Sequence, residues 1–128
     1  MKHVLFVCVE NSNRSQMAEA FARMHAPAGV EGHSAGSRPS GKVNPRAVEF
    51  MAECSYDLTT HRSKSTAEFD GREVEVAVTM GCGDECPLVN AKRREEWQLP
   101  DPTELSSEEY RRIRDLIEQK VKDLLASM

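Results

Sequence analysis

The run His3-Val4-Leu5-Phe6-Val7-Cys8 constrains this chain most. A near-continuous apolar stretch without polar alternation suits a central strand covered on both faces, and such strands belong to parallel sheets. Parallel neighbours cannot be joined by hairpins and need crossovers, usually helices. The rest of the chain supplies them. After a polar loop from Val9 to Asn13, the residues Met17, Ala20, Phe21 and Met24 recur at helical spacing, which predicts a helix from near Arg14 to before Pro27. Residues 30–35 read as a weaker second strand, closed by Gly36 and a loop with Pro39 and Gly41. Asn44-Pro45 opens a second helix, with Asn as N-cap and Pro in the first turn. A short helix near residues 64–69, a third strand over residues 74–80 and a short fourth strand over residues 97–99 follow. Ser106 and Glu109 form a capping box. Beyond it Tyr110, Ile113, Ile117, Val121, Leu124 and Leu125 make one apolar stripe. The alternation of strands and helices predicts a three-layer α/β domain with a parallel sheet and right-handed crossovers. The 128 residues fit a single domain, 1–128.

Composition excludes several function classes. No apolar run approaches the ~18 residues of a membrane span. The N-terminal apolar stretch is too short for a secretory signal, so the reading is cytoplasmic. The formal net charge of -4 argues against nucleic acid as a partner. A small anion must then be held by local groups. The four cysteines, Cys8, Cys54, Cys82 and Cys86, point in a reducing compartment to catalysis, metal binding or packing and not to structural disulfides.

The chemistry concentrates in Cys8-Val9-Glu10-Asn11-Ser12-Asn13-Arg14-Ser15. It lies between a buried strand and a helix N-terminus, where free amides and the helix dipole favour an anion. Successive amides of Val9, Glu10, Asn11, Ser12 and Asn13 can wrap a tetrahedral oxyanion. The planar fork of Arg14 can take two of its oxygens. Cys8 sits at the floor of that cradle, and such a junction favours the nucleophilic thiolate. Ser15 can donate its hydroxyl to the sulfur, and Asn11 can brace the loop. Free cysteines are often merely buried, but strand, polar loop, Arg-Ser and helix together argue for a nucleophile. A carboxylate pointing inward would repel the ligand, so Glu10 is placed outward at the mouth. Cys54 reads as a packing residue, and Lys92-Arg93-Arg94 with Glu95-Glu96 as a solvated face. Cys82 and Cys86 offer only two of the four ligands a closed zinc site needs, and no metal set is read from the spacing.

C-x5-R-S on the first strand–loop–helix resembles the low-molecular-weight protein tyrosine phosphatase fold. Arg14-Ser-Gln-Met-Ala-Glu19, Ser34-Ala-Gly36, Val43-Asn-Pro45, His61-Arg-Ser63 and Asp101-Pro102 are more closely similar to the arsenate reductases built on it. The resemblance covers nearly the whole chain and implies a four-stranded parallel sheet flanked by helices. It implies arsenate as substrate, with phosphate or sulfate as mimics, and Asp101 as general acid. It also implies a cascade from a Cys8–Cys82 disulfide to a Cys82–Cys86 disulfide. No tightly bound cofactor is implied, only an external thiol reductant: thioredoxin, or a low-molecular-weight thiol with glutaredoxin. The chain is read as a monomer.

Gly81 and Gly83 loosen the segment holding the two cysteines, and Pro87 blocks a helix beyond Cys86. Thioredoxin-coupled members separate the two cysteines more widely, so the need for both thiols is open. In some relatives a carboxylate after the His-x-Ser motif helps hold potassium with the equivalents of Asn11, Glu19 and Ser34. Lys64 stands there instead, and its ammonium can brace the same network. The other reading of the fold is a low-molecular-weight phosphatase using Cys8, Arg14 and Asp101. Such enzymes carry tyrosines after the Asp-Pro, whereas Thr103-Glu104-Leu105 follow here.

Overall fold

The structure, a computed structural model, describes residues 1–80 and 89–128. Cys82 and Cys86, expected to take up the oxidation of Cys8, lie outside the described residues. Four strands form one parallel sheet in the order β2-β1-β3-β4. They are β1 (Lys2–Cys8), β2 (Val30–Gly36), β3 (Val74–Thr79) and β4 (Ala91–Glu96). The helices are α1 (Arg14–His25), α2 (Pro45–Ala52) and α3 (Ser107–Ala126), with 3-10 turns at Leu58–Thr60 and Thr66–Phe69.

The apolar run at the start becomes the inner strand β1, paired in parallel on both sides. Alternate residues serve opposite faces, as the pleat requires. Val4, Phe6 and Cys8 join the larger core with residues of α1, α2 and α3. Leu5 and Val7 join a smaller core with Ala35, Phe69, Ala77 and Val89. Gly32 lets α1 approach β2 closely, since a Cβ there would lie 2.5 Å from that of Ala22. Ser106 caps α3 by accepting from the amide of Glu109. Asn44 caps α2 by accepting from that of Arg46.

The fourth strand is not where the residue pattern puts it. Residues 97–99 follow β4 and are not part of it, while the charged stretch read as a solvated face forms the strand itself. As an edge strand, β4 exposes Lys92, Arg93, Arg94 and Glu96. Edge strands are commonly guarded by charge, which removes the apolar pattern by which a strand is recognised.

With this strand order, β1 and β3 lie side by side while their crossovers leave in opposite directions. In open α/β sheets that switch point, at the carboxyl ends of the strands, is where ligands bind. Cys8 ends β1 there. The amide of Met80, two residues ahead of Cys82 in the chain, donates to the carbonyl of Val7.

Candidate active site

Cys8 is 5% exposed, and its sulfur lies 2.8 Å from the Ser15 hydroxyl. Ser15 in turn accepts from the Asn11 side-chain amide at 2.9 Å. The loop between β1 and α1 is held from outside. The carbonyls of Cys8, Val9, Glu10 and Ser12 accept from the amides of Ser37, Arg38, Ser40 and Asn44, at 2.8–3.2 Å. In a trans peptide the N–H points away from its own carbonyl. Anchoring those four carbonyls outward therefore turns the amides of Val9, Glu10, Asn11 and Asn13 to the inner side. Gly36 permits the close fit, since a Cβ there would stand 2.5 Å from the Val9 carbonyl oxygen.

The inner side opens on a cavity of about 320 Å³ lined by Cys8, the loop, Arg14, Asp101 and Thr103. Asp101 and Cys8 come from opposite ends of the chain and meet only in this space. Three contacts hold the Asp101 loop. Arg14 donates to the Leu99 carbonyl at 2.8 Å, Asn13 to the Thr103 hydroxyl at 3.3 Å, and Arg46 to the Thr103 carbonyl at 2.8 Å. Glu10 is exposed at the rim. Burial would raise the Asp101 carboxyl, but bonds from the Thr103 hydroxyl and amide and the charge of Arg14 outweigh it. Asp101 is thus held below its ordinary value, ionised without a ligand.

A buried network braces the loop from behind. Asn11 has φ 51°, a left-handed conformation that Asn tolerates better than most residues. Its side-chain oxygen accepts from Gln16 and from the Lys64 amide, both at 2.9 Å. The Lys64 ammonium lies 3.1 Å from Glu19 and 3.3 Å from Ser34. Ser34 donates to Glu19 at 2.5 Å, and Arg23 to Glu19 at 2.9 Å. Burial pushes the Glu19 carboxyl up, but Lys64, Ser34, His61 and Arg23 together bring it below the ordinary range. Glu19, Ser34 and Lys64 therefore form one cluster. Asn11 joins it through the backbone of Lys64 and not through the ammonium.

Two members of this network were not singled out from the residues alone. Gln16, fully buried, donates to the Asn11 carbonyl, the Asn11 side chain and the Arg62 carbonyl. Its own oxygen accepts from His61 Nδ1 at 2.9 Å, and His61 Nε2 accepts from the Tyr56 hydroxyl at 2.6 Å. One neutral tautomer satisfies both bonds. Burial and the nearby cations outweigh Glu19 in lowering the basicity of His61. The available signal was a polar Gln16 beside Met17 and Ala20 on the apolar side of the first helix. Tyr110 likewise reaches from α3 to donate to Asn13.

A family model described as low molecular weight phosphotyrosine protein phosphatase matches residues 3–128. The chain is 35% identical to the glutaredoxin arsenate reductase of Synechocystis sp., covering 100% of this chain and 99% of that protein. It is 37% identical to arsenate reductase 2 of Staphylococcus saprophyticus, covering 94% of each. Among solved structures, an arsenate reductase in the phosphate binding state superposes with a TM-score of 0.86 at 34% identity. That match covers 99% of this chain and 98% of that one.

Proposed function

We propose that this chain, which belongs to the low molecular weight phosphotyrosine protein phosphatase family, reduces arsenate to arsenite with Cys8 as nucleophile. The observation that carries the reading is Cys8 at the floor of a cradle of inward amides, bonded to Ser15 and faced by Arg14 and Asp101. The relatives named arsenate reductases supply the substrate.

The residues divide the work by their chemistry. The amides of residues 9–14 and the Arg14 fork hold three oxygens of the oxyanion. The Ser15 hydroxyl donates to the Cys8 sulfur and steadies it as the thiolate. Cys8 attacks arsenic, a sulfur–arsenic bond forms, and one oxygen leaves as water after gaining a proton. Asp101 is the donor for that proton. An incoming anion raises an ionised carboxyl by like-charge repulsion, so the carboxyl held ionised in the free protein takes up its proton as substrate binds. Next, a second thiolate attacks the Cys8 sulfur. The sulfur–arsenic bond breaks, its electron pair stays on arsenic, and arsenite departs from a disulfide. We assign this attack to Cys82, with Cys86 then taking over the disulfide and freeing Cys8. An external thiol reductant closes the cycle by exchange. The relative named a glutaredoxin arsenate reductase favours glutathione with glutaredoxin over thioredoxin as donor. A cytoplasmic location, where thiols stay reduced, suits such a cycle.

The test is arsenite release by the reduced protein supplied with either donor system, followed by disulfide mapping by mass spectrometry. Arsenate-dependent consumption of reductant, abolished by Cys8→Ser, supports the reading. Cys82→Ser should stop arsenite release yet spare any hydrolysis of aryl phosphate. Rapid aryl phosphate hydrolysis without arsenate turnover would establish the phosphatase alternative instead. Because Lys64 places an ammonium against Glu19 and Ser34, turnover should be the same in sodium and potassium salts. A several-fold rise in potassium would show that Lys64 does not fill that role.

A further inference from the structure

Parallel pairing places three potential metal ligands on one face of the sheet, far from Cys8. His3 of β1 is in register with Glu31 of β2, and His33 follows Glu31 by two residues on the same face. His3 Nδ1 and His33 Nε2 are 2.9 Å apart, and His33 Nε2 is 3.4 Å from the Glu31 carboxylate. The ligand atoms of all three lie within 4.8 Å of one another. We propose that His3, Glu31 and His33 bind one divalent first-row transition ion, with zinc as the simplest case.

Tetrahedral zinc with bonds of about 2.0–2.1 Å sets its ligand atoms about 3.3 Å apart. The two imidazoles need to part by only a few tenths of an ångström, and the exposed Glu31 carboxylate is free to turn toward them. The ligand types match the metal class, because two imidazoles and a carboxylate suit zinc and its neighbours better than magnesium or calcium. An edge contact with Phe69, centroids 5.6 Å apart, fixes the plane of the His33 ring. His3 and His33 also line a cavity of about 400 Å³ with Phe69, Arg72, Glu73 and Val74. That space leaves the fourth position open to water, and Arg72 and Glu73 beside it carry opposite charges.

The site lies apart from the catalytic cradle. His3 is the second residue of β1 and Cys8 its last, about 16 Å away at the rise of an extended strand. A bound ion would tie β1 to β2 at the end of the sheet opposite the chemistry.

The test uses the full, tag-free, reduced chain and zinc chloride. All four thiols also take zinc, so the informative quantities are site-specific. Histidine side-chain nitrogen shifts should change for His3 Nδ1 and His33 Nε2 on zinc addition. In calorimetry the parent should bind one equivalent more than His3→Asn or Glu31→Gln, with arsenate turnover in the metal-free variants unchanged. Neither substitution touches the buried core, and the nitrogen shifts need no variant at all. Unmoved shifts for both histidines, or the same stoichiometry and affinity in parent and variants, would overturn the proposal.

Discussion

Arg14 and Gln16, two residues apart, act on the oxyanion loop from opposite sides. Arg14 faces the cavity and also anchors the Leu99 carbonyl. Arg14→Lys should raise KM for arsenate by roughly 100-fold, because a point charge replaces neither the fork nor the anchor; steady-state kinetics reads this directly. Gln16 is not part of the cavity lining and holds Asn11, His61 and the Arg62 carbonyl in place. Gln16→Leu keeps the volume but leaves several buried partners unpaired, a loss of about 2–4 kcal/mol. In the surviving folded fraction kcat should fall by about 10- to 100-fold, since a slightly misplaced loop loses its alignment with the substrate. Denaturant titration beside kcat separates the two effects. A stability loss with unchanged kcat would remove Gln16 from the positioning network.

Among the elements, α1 carries the most constraint. Its first turn meets the ligand loop, and its body presses on β2 so closely that Gly32 faces Ala22 without room for a methyl group. Gly32→Val should therefore displace α1 and cost about 1–3 kcal/mol, the usual penalty of overpacking. A thermal melt detects that loss. Because Ser34 lies two residues further along the same face of β2 and bonds Glu19 on α1, activity should fall with it. The outer strand β4 behaves differently. Its side chains are mostly exposed, and its place in the sheet comes from the backbone ladder to β3.

For the molecule as a whole, acidification should act through the network behind the loop. His61 is held neutral, below the ordinary value of 6.5. The unfolded chain therefore binds its proton first as pH falls, and stability declines from about pH 6.5 downward. Glu19 is held ionised, below 4.5. Its contribution is complete above that value and is lost as pH falls through the lowered one. Both groups point the same way, so the urea midpoint should begin to drop near pH 7.5 and go on dropping below about pH 4, through the lowered value of Glu19. A midpoint that stays level over that range would show that neither group is perturbed as described.

Sequence order alone located the candidate junction, because strand, loop, Cys8, Arg14 and helix start are neighbours along the chain and local chemistry suffices to read them. The helices were legible for the same reason, through caps such as Ser106 and Asn44 and the stripe on α3. Other features required the chain to come back on itself. Asp101 faces Cys8 only once Arg14, Asn13 and Arg46 hold its loop. Glu31 and His33 meet His3 only in the parallel register of β1 and β2. The edge strand β4 hid behind its charges because its pairing is made by backbone groups, which every residue carries alike. Contacts between distant segments leave no periodic trace in a chain, so packing had to supply them.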